Sequence, residues 1–262
     1  MRALPSLSAR ALVRLCAVSM VVQEGTELLL LRHGETEWNV QGRLQGAADS
    51  PLTAVGEADA VKCRDRLARG SRAPCVCYTS PLGRARKTAE ILCAGTSIPI
   101  VDDDGLVERS FGVLEGLTVE ERKAQFPDVK LRSPDDDYAP PGGESRSSTQ
   151  ARAVAALKAI AERHPGERVL VVTHSGWLSS GMRAVLGMPY NVVKGSGLAL
   201  PNTAINLLRW EGAGWQVQLW GERGEFGERQ VRRVGELSEL GFAFAMGAAF
   251  ALFVRRALAL VI

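Results

Sequence analysis

Apolar runs of membrane-spanning length are missing from this 262-residue chain. The apolar stretch at 241–254 holds 14 residues before Arg255 and Arg256 stop it, short of the roughly 20 that an unaided spanning helix wants. Cysteine is sparse and odd in number. Cys16, Cys63, Cys75, Cys77 and Cys93 fit neither a disulfide framework nor a zinc site, and a reducing compartment is the simplest setting. Neither sign of charge dominates: beyond Arg2, Arg10 and Arg14 the remaining 29 basic and 29 acidic residues cancel. No basic patch interleaved with aromatics is visible, which leaves nucleic-acid binding without support. Histidine is the scarcest chemistry-bearing residue, with three in all. Two of the three are placed alike. His33 ends the run LLLLRHG and His174 ends VLVVTHSG, each after an apolar segment and shortly before a glycine. A side chain that can be a neutral nucleophile or a cation near pH 7, used rarely and placed twice in one way, points to chemistry.

What is present is an ordinary globular composition, 46% hydrophobic, with length enough for one sizeable core. Strand-like segments are expected at 28–31, 75–79, 98–101, 169–173, 204–210 and 215–220. Helical patterns lie between them: 54–69, 81–94 with Ser80 as N-cap and Pro81 in first position, and 146–163 with Val154, Leu157 and Ala161 on one face. Thr118 and Glu121 form a capping box for a short helix at 119–125. His164-Pro165-Gly166 stops the long helix, and His164 reads as an exposed cap partner. Alternation of strands and helices predicts an α/β sandwich with a mostly parallel sheet. Segment 127–145 reads as a loop over one edge, a lid candidate. Cys75 and Cys77 are expected on one strand face as small buried hydrophobes. In such folds ligands gather beyond the carboxyl ends of the strands, where His33, Arg84, Glu108 and His174 all fall.

Six blocks carry a resemblance. Arg32-His33-Gly34-Glu35-Thr36 with Trp38 and Asn39, then RLQGAADSPLT (43–53), SPLGRARKTAE (80–90), LVERSFGVLEG (106–116), PPGGES (140–145) and VVTHSG (171–176) occur in the order seen in the histidine phosphatase (phosphoglycerate mutase-like) superfamily. The chain resembles that family over about residues 27–220. The resemblance implies a three-layer sandwich with a central, mostly parallel sheet flanked by helices. It implies a nucleophilic His33 that becomes a phosphohistidine, with its other ring nitrogen donating to a backbone carbonyl. It makes His174 a second, cationic pocket histidine and Glu108 the proton donor, its acidity weakened by desolvation or nearby phosphate. Arg32 and Arg84 would clamp equatorial phosphoryl oxygens with planar forks. Asn39, Gln45, Gly46 and Ser175 would line the substrate, Ser175 through a backbone N–H at a helix start. Neither cofactor nor metal is implied, and the partner is a small phosphate ester. The block Glu108-Arg109-Ser110-Phe111-Gly112 and the short connection to His174 resemble the phosphatase branch, with a phosphoglycerate mutase as the alternative.

The bland alternatives are weaker. Asn39 and Gln45 also suit structural turns. The acidic runs Asp102–Asp104 and Asp135–Asp137 read as solvated loop charges. Cys63 and Arg69 stand at the spacing of a cysteine phosphatase, yet inside a helical pattern without a phosphate-cradling loop. Ser175 does not fit a nucleophile elbow, since bulky Trp177 stands where that turn needs a small residue. A dead binding module is disfavoured by the joint presence of Arg32, His33, Arg84, Glu108 and His174. Residues 1–22, basic and free of acids, suit an organellar transit peptide, with Met20 as a rival start. The expected location is the cytoplasm, or a plastid or mitochondrion if that leader is genuine. The catalytic unit is expected over 23–222, with 223–262 as an extension. Its apolar tail reads as an appended helix, while partial membrane anchoring stays open.

Overall fold

The computed structural model describes residues 25–131, 133, 135–188, 198 and 200–223. The readings of the leader at 1–22 and of the tail at 241–262 fall outside them. Six strands form one sheet: β1 (Thr26–Arg32), β2 (Val76–Thr79), β3 (Ile100–Asp102), β4 (Arg168–Thr173), β5 (Ile205–Trp210) and β6 (Trp215–Glu222), in the order β3-β2-β4-β1-β5-β6. All run the same way except β5, which is antiparallel to both of its neighbours. The helices are α1 (Glu37–Val40), α2 (Ala54–Ala68), α3 (Gly83–Cys93), α4 (Val119–Gln125), α5 (Arg146–Arg163) and α6 (Ser175–Val185).

Strand β1 explains the layering. Leu28, Leu29, Leu30 and Leu31 are all buried, because both faces of a central strand are covered. Leu28 and Leu30 join Val169 and Val171 in a core with Leu157 and Ile160 of α5 and with Trp177, Leu178 and Met182 of α6. Leu29 and Leu31 join Cys77, Leu170 and Val172 on the other face, against Cys63 of α2 and Ala85, Ala89 and Leu92 of α3. Each such leucine is worth about 1.5–3 kcal/mol of transfer free energy. A polar residue at any of the four would therefore damage one layer or the other. Among the described residues no helix is long and apolar enough to cross a membrane.

Several local expectations change. Helix α3 starts at Gly83, not Pro81. The Ser80 hydroxyl accepts from the Leu82 N–H at 3.3 Å and closes a turn, while the cap comes from the distant Asp49 carboxylate, which accepts from the Arg84 N–H at 3.3 Å. Helix α1 was not expected. Thr36 and Asn39 build its capping box, each side chain bonded to the other's backbone N–H. Cys75 lies exposed before β2 starts, so only Cys77 is a buried thiol of that strand. Burial pushes the Cys63 thiol up to about 11, which keeps it protonated and unreactive. His164 is half-buried, with Nε2 3.0 Å from the Tyr78 hydroxyl. Of the two acidic runs, Asp136 pairs with Arg146 and Asp103 caps a short 3₁₀ turn at Asp104–Leu106.

Candidate active site

Strand register brings the two histidines together. Arg32 of β1 stands opposite Thr173 of β4, so His33 and His174 leave adjacent strand ends at the same level. The ladder continues one step further, with the His33 N–H bonded to the Thr173 carbonyl at 2.9 Å. Their ring centroids are 5.2 Å apart and the rings are tilted by 56°. Strand β2 ends beside them, since Ser80 N–H reaches Val172 O at 3.0 Å. That places α3, and with it Arg84, at the same crevice.

The environment of His33 defines its tautomer. Nδ1 lies 2.7 Å from the Gly34 carbonyl oxygen. A carbonyl can only accept, so Nδ1 carries the hydrogen and Nε2 keeps its lone pair. Burial, then the positive charges of Arg84 and Arg32, hold this histidine well below its ordinary pKa. A neutral ring with one fixed and one free nitrogen is the form a nucleophile needs. Arg84 is buried, Arg32 is half-buried, and both are partly committed. Arg32 Nη1 donates to Leu200 O at 2.9 Å. Arg84 Nη1 donates to Ala48 O and to the Asp49 carboxylate, and its Nη2 to Gly46 O. In both, Nε is buried without a hydrogen-bond partner among the described residues. An unpaired guanidinium N–H away from water is costly, and an anion satisfies it.

His174 differs. It is fully buried, and neither ring nitrogen has a partner among the described residues. Burial, then Arg84, His33, Arg32 and Arg152, push it well below its ordinary value. That push favours the neutral ring, against the cation that the resemblance implies with phosphate bound. Its backbone is fixed as the N-cap of α6. The next N–H groups of that helix go to Glu108: Gly176 N–H to Oε2 at 2.8 Å and Trp177 N–H to Oε1 at 2.7 Å, with Arg109 N–H also on Oε1 at 2.9 Å. Gly176 suits this close approach, since a Cβ there would stand 2.7 Å from the carboxylate and displace it. Segment 105–108 reaches the site because Leu106 O accepts from Thr173 Oγ1 and Gly105 O from Trp177 Nε1, each at 2.7 Å. Glu108 is thus both a site carboxyl and the anchor of α6.

The remaining expected residues differ in how they are engaged. Ser175 opens α6, directly after His174. Gly46 touches Arg84 through its carbonyl. Gln45 is buried, and its Oε1 has no partner among the described residues. Asn39 gives its Oδ1 to the capping box, so only its amide NH2 remains to donate. Three contributors escaped sequence reasoning. Asn202 Nδ2 donates to the His33 carbonyl at 2.8 Å. Its successor Thr203 has φ of +58°, alone among the described non-glycine residues in that region, and its N–H reaches Arg32 O at 3.0 Å. Thr88 Oγ1 accepts from the Gly34 N–H at 3.0 Å and donates to Arg84 O, tying α3 to the histidine turn. The Pro-Asn-Thr turn before β5 was the one visible hint.

Among the described residues no group of three or more histidines, cysteines or carboxylates could hold a metal ion. Charge at the crevice comes from guanidinium groups instead.

Comparison with known proteins agrees with this geometry. Residues 28–223 match the histidine phosphatase superfamily (branch 1). A metal-independent phosphoserine phosphatase of Arabidopsis thaliana is 35% identical, over 85% of this chain and 87% of its own length. Phosphoglycerate mutase-like protein 4 of the same plant is 33% identical, covering 82% and 89%. The solved structure of a mycobacterial glucosyl-3-phosphoglycerate phosphatase with VO3 superposes with a TM-score of 0.64 at 30% identity, over 74% of this chain and 98% of that one. With a paired-histidine crevice at the carboxyl edge of its sheet, this chain belongs to the histidine phosphatase superfamily and is an enzyme of the phosphatase type.

Proposed function

We propose that this protein hydrolyses phosphoric monoesters of small metabolites through a phosphohistidine formed on His33. The observation that carries the reading is the His33 ring, buried and fixed by Gly34 O so that Nε2 is free, beside two arginines whose Nε–H groups have no partner among the described residues. Nε2 attacks phosphorus and the P–O bond to the alcohol breaks. The leaving alkoxide takes a proton from Glu108, whose Oε2 accepts a single N–H and keeps a lone pair that can carry it. Water then attacks the phosphohistidine and returns a proton to Glu108, and inorganic phosphate departs. Arg32 and Arg84 bind the equatorial oxygens through their Nε edges, neutralising charge that would repel the nucleophile. Phosphate arriving beside His174 is an anion that favours its cationic form, against the burial and the positive neighbours that push it the other way. His174 then donates to the transferred group, and Ser175, Gly46, Gln45 and Asn39 line the ester.

Hydrolysis rather than mutase chemistry is supported by the phosphatase names among its relatives and by Ser110 and Phe111 in the block after Glu108. A panel of phosphorylated sugars, sugar acids and hydroxyamino acids tests it, scored for free phosphate. The two phosphoglycerates are resolved by NMR in the same samples. Phosphate release without a bisphosphoglycerate primer is expected. Isomerisation outrunning release would replace the phosphatase by a mutase.

A further inference from the structure

We propose that Glu115 is a positioning residue for Arg84, acting through the peptides of loop 46–48. The inference rests on the reading that Arg84 binds the phosphoryl group. Glu115 collects four donors. Its Oε1 accepts from Ala47 N–H at 3.0 Å, Phe111 N–H at 2.7 Å and Ser110 Oγ at 3.1 Å, and its Oε2 accepts from Ala48 N–H at 2.9 Å. On the other side of the same loop, Arg84 donates to Gly46 O and to Ala48 O, each at 2.7 Å.

Gly46 O and Ala47 N–H belong to one peptide unit. In a trans peptide those groups point in opposite directions, so this unit lies between the carboxylate and the guanidinium with its dipole aligned to both. Ala48 adds a second link through two successive peptide units, its N–H on Glu115 and its carbonyl, in the next unit, on Arg84. Gly46, at φ +60°, makes the approach feasible, because a Cβ there would overlap the Glu115 carboxylate. Burial lowers the Arg84 pKa, and Asp49, Glu108 and, least of the three, Glu115 oppose that shift.

The consequence is directional. The two carbonyls and Asp49 occupy Nη1 and one hydrogen of Nη2. What Arg84 has left for phosphate is its side edge, Nε–H with the second Nη2 hydrogen, and the loop sets where that edge faces. Without Glu115, three backbone N–H groups lose their acceptor and the two carbonyls drift. The guanidinium follows them, although Glu115 touches no substrate atom.

The test is a double-mutant cycle on the full chain, with inorganic phosphate as the titrant. Phosphate affinity is measured by calorimetry for wild type, Glu115→Ala, Glu115→Gln, Arg84→Ala and the two doubles, with melting curves for each. A misplaced clamp costs about 10- to 100-fold. Glu115→Ala is expected to weaken phosphate binding about 10-fold in the wild-type background and less than about 2-fold without Arg84, since little coupling remains. Glu115→Gln, which retains one acceptor oxygen, is expected to lose less with the same non-additivity and serves if the alanine variant melts early. Equal losses in both backgrounds would make Glu115 a general structural residue and overturn the proposal. Normal phosphate affinity in a folded Glu115→Ala protein would do the same. An unaffected Arg84→Ala would instead remove the phosphate role of Arg84, on which both this inference and the clamp rest.

Discussion

The two histidines of the crevice stand at equivalent strand ends and yet are held by opposite means. His33 is fixed by its ring, through the Nδ1 bond to Gly34 O, and by its carbonyl, through Asn202. His174 is fixed only by its backbone and by packing, its ring nitrogens unpaired among the described residues. The first arrangement commits a tautomer and leaves one lone pair in one direction. The second leaves the proton to be decided by what enters the crevice. A nucleophile gains from being pre-set, because any tautomer error is a lost turnover. A charge-compensating donor gains from responding to the ligand.

The strongest way to break the comparison is to remove the committed ring. His33→Ala is expected to lower kcat by about 10⁴-fold or more and to abolish the acid-labile, base-stable phosphoryl label trapped by quenching. Label of equal extent in that variant would reject His33 as the nucleophile. His174→Ala should cost about 10²- to 10³-fold. His174→Gln, a neutral donor of similar reach, should recover part of that loss, whereas His33→Gln should recover none. Identical behaviour of the two glutamine variants would erase the distinction.

Glu108 sharpens it from the third side. Glu108→Gln is expected to slow alkyl phosphates about 10²-fold or more, while p-nitrophenyl phosphate, whose phenolate leaves unaided, loses less than about 10-fold. Because Glu108 also anchors α6, the variant should melt earlier as well. An equal kinetic loss on both ester types would leave only the anchoring role.

Stability against pH carries a smaller signal. Both histidines are depressed in the folded protein, by burial first and then by the arginines. The unfolded chain therefore binds protons that the folded one refuses, at and below the ordinary histidine value near 6.5. Stability should be flat above pH 7 and fall as pH drops through 6.5, by up to about 1.4 kcal/mol per pH unit for each histidine. Half-buried His164, lowered more modestly, adds to the same slope. Chemical denaturation of His174→Asn should show a shallower slope than wild type, and an unchanged slope would contradict the neutral ring. The smallest expected effect is that of excess EDTA, which should leave turnover unchanged because guanidinium groups supply the charge. Loss of activity restored by a divalent metal would refute that.

Much of this arrangement could be read from residue order, and the reasons are local. Four leucines before Arg32 and the Val-Leu-Val-Val run before Thr173 can be little other than buried strands, and histidines at their ends must share an edge if the strands are neighbours. The capping box at Thr118 is a short-range signal, and it is found as expected. What escaped depends on distant partners. No local pattern reveals that Asp49 caps α3, that Asn202 holds the His33 carbonyl, or that the Glu115 carboxylate collects N–H groups from two loops. The downward push on His174 has the same origin, since it follows from burial and from arginines on other elements. Family resemblance named the reacting groups and the kind of acceptor His33 would have, while Gly34 as that acceptor and the partners of Glu108 emerged only from the fold.

The sheet order also has a consequence for how the molecule comes into being. Among the described residues the first strand made, β1, sits between β4 and β5, with Leu29 opposite both Leu170 and Leu207. During synthesis at about 5–20 residues per second, Leu28–Leu31 emerge without either neighbour and wait on the order of ten seconds for them. Throughout that interval the chain displays its most apolar segment with unsatisfied edges on both sides, the kind of exposure that nascent-chain chaperones cover. The crevice cannot form early, because its two histidines lie 141 positions apart in the chain (174 − 33). A truncated chain ending before β4 would carry His33 and Arg84 with no pocket to hold them.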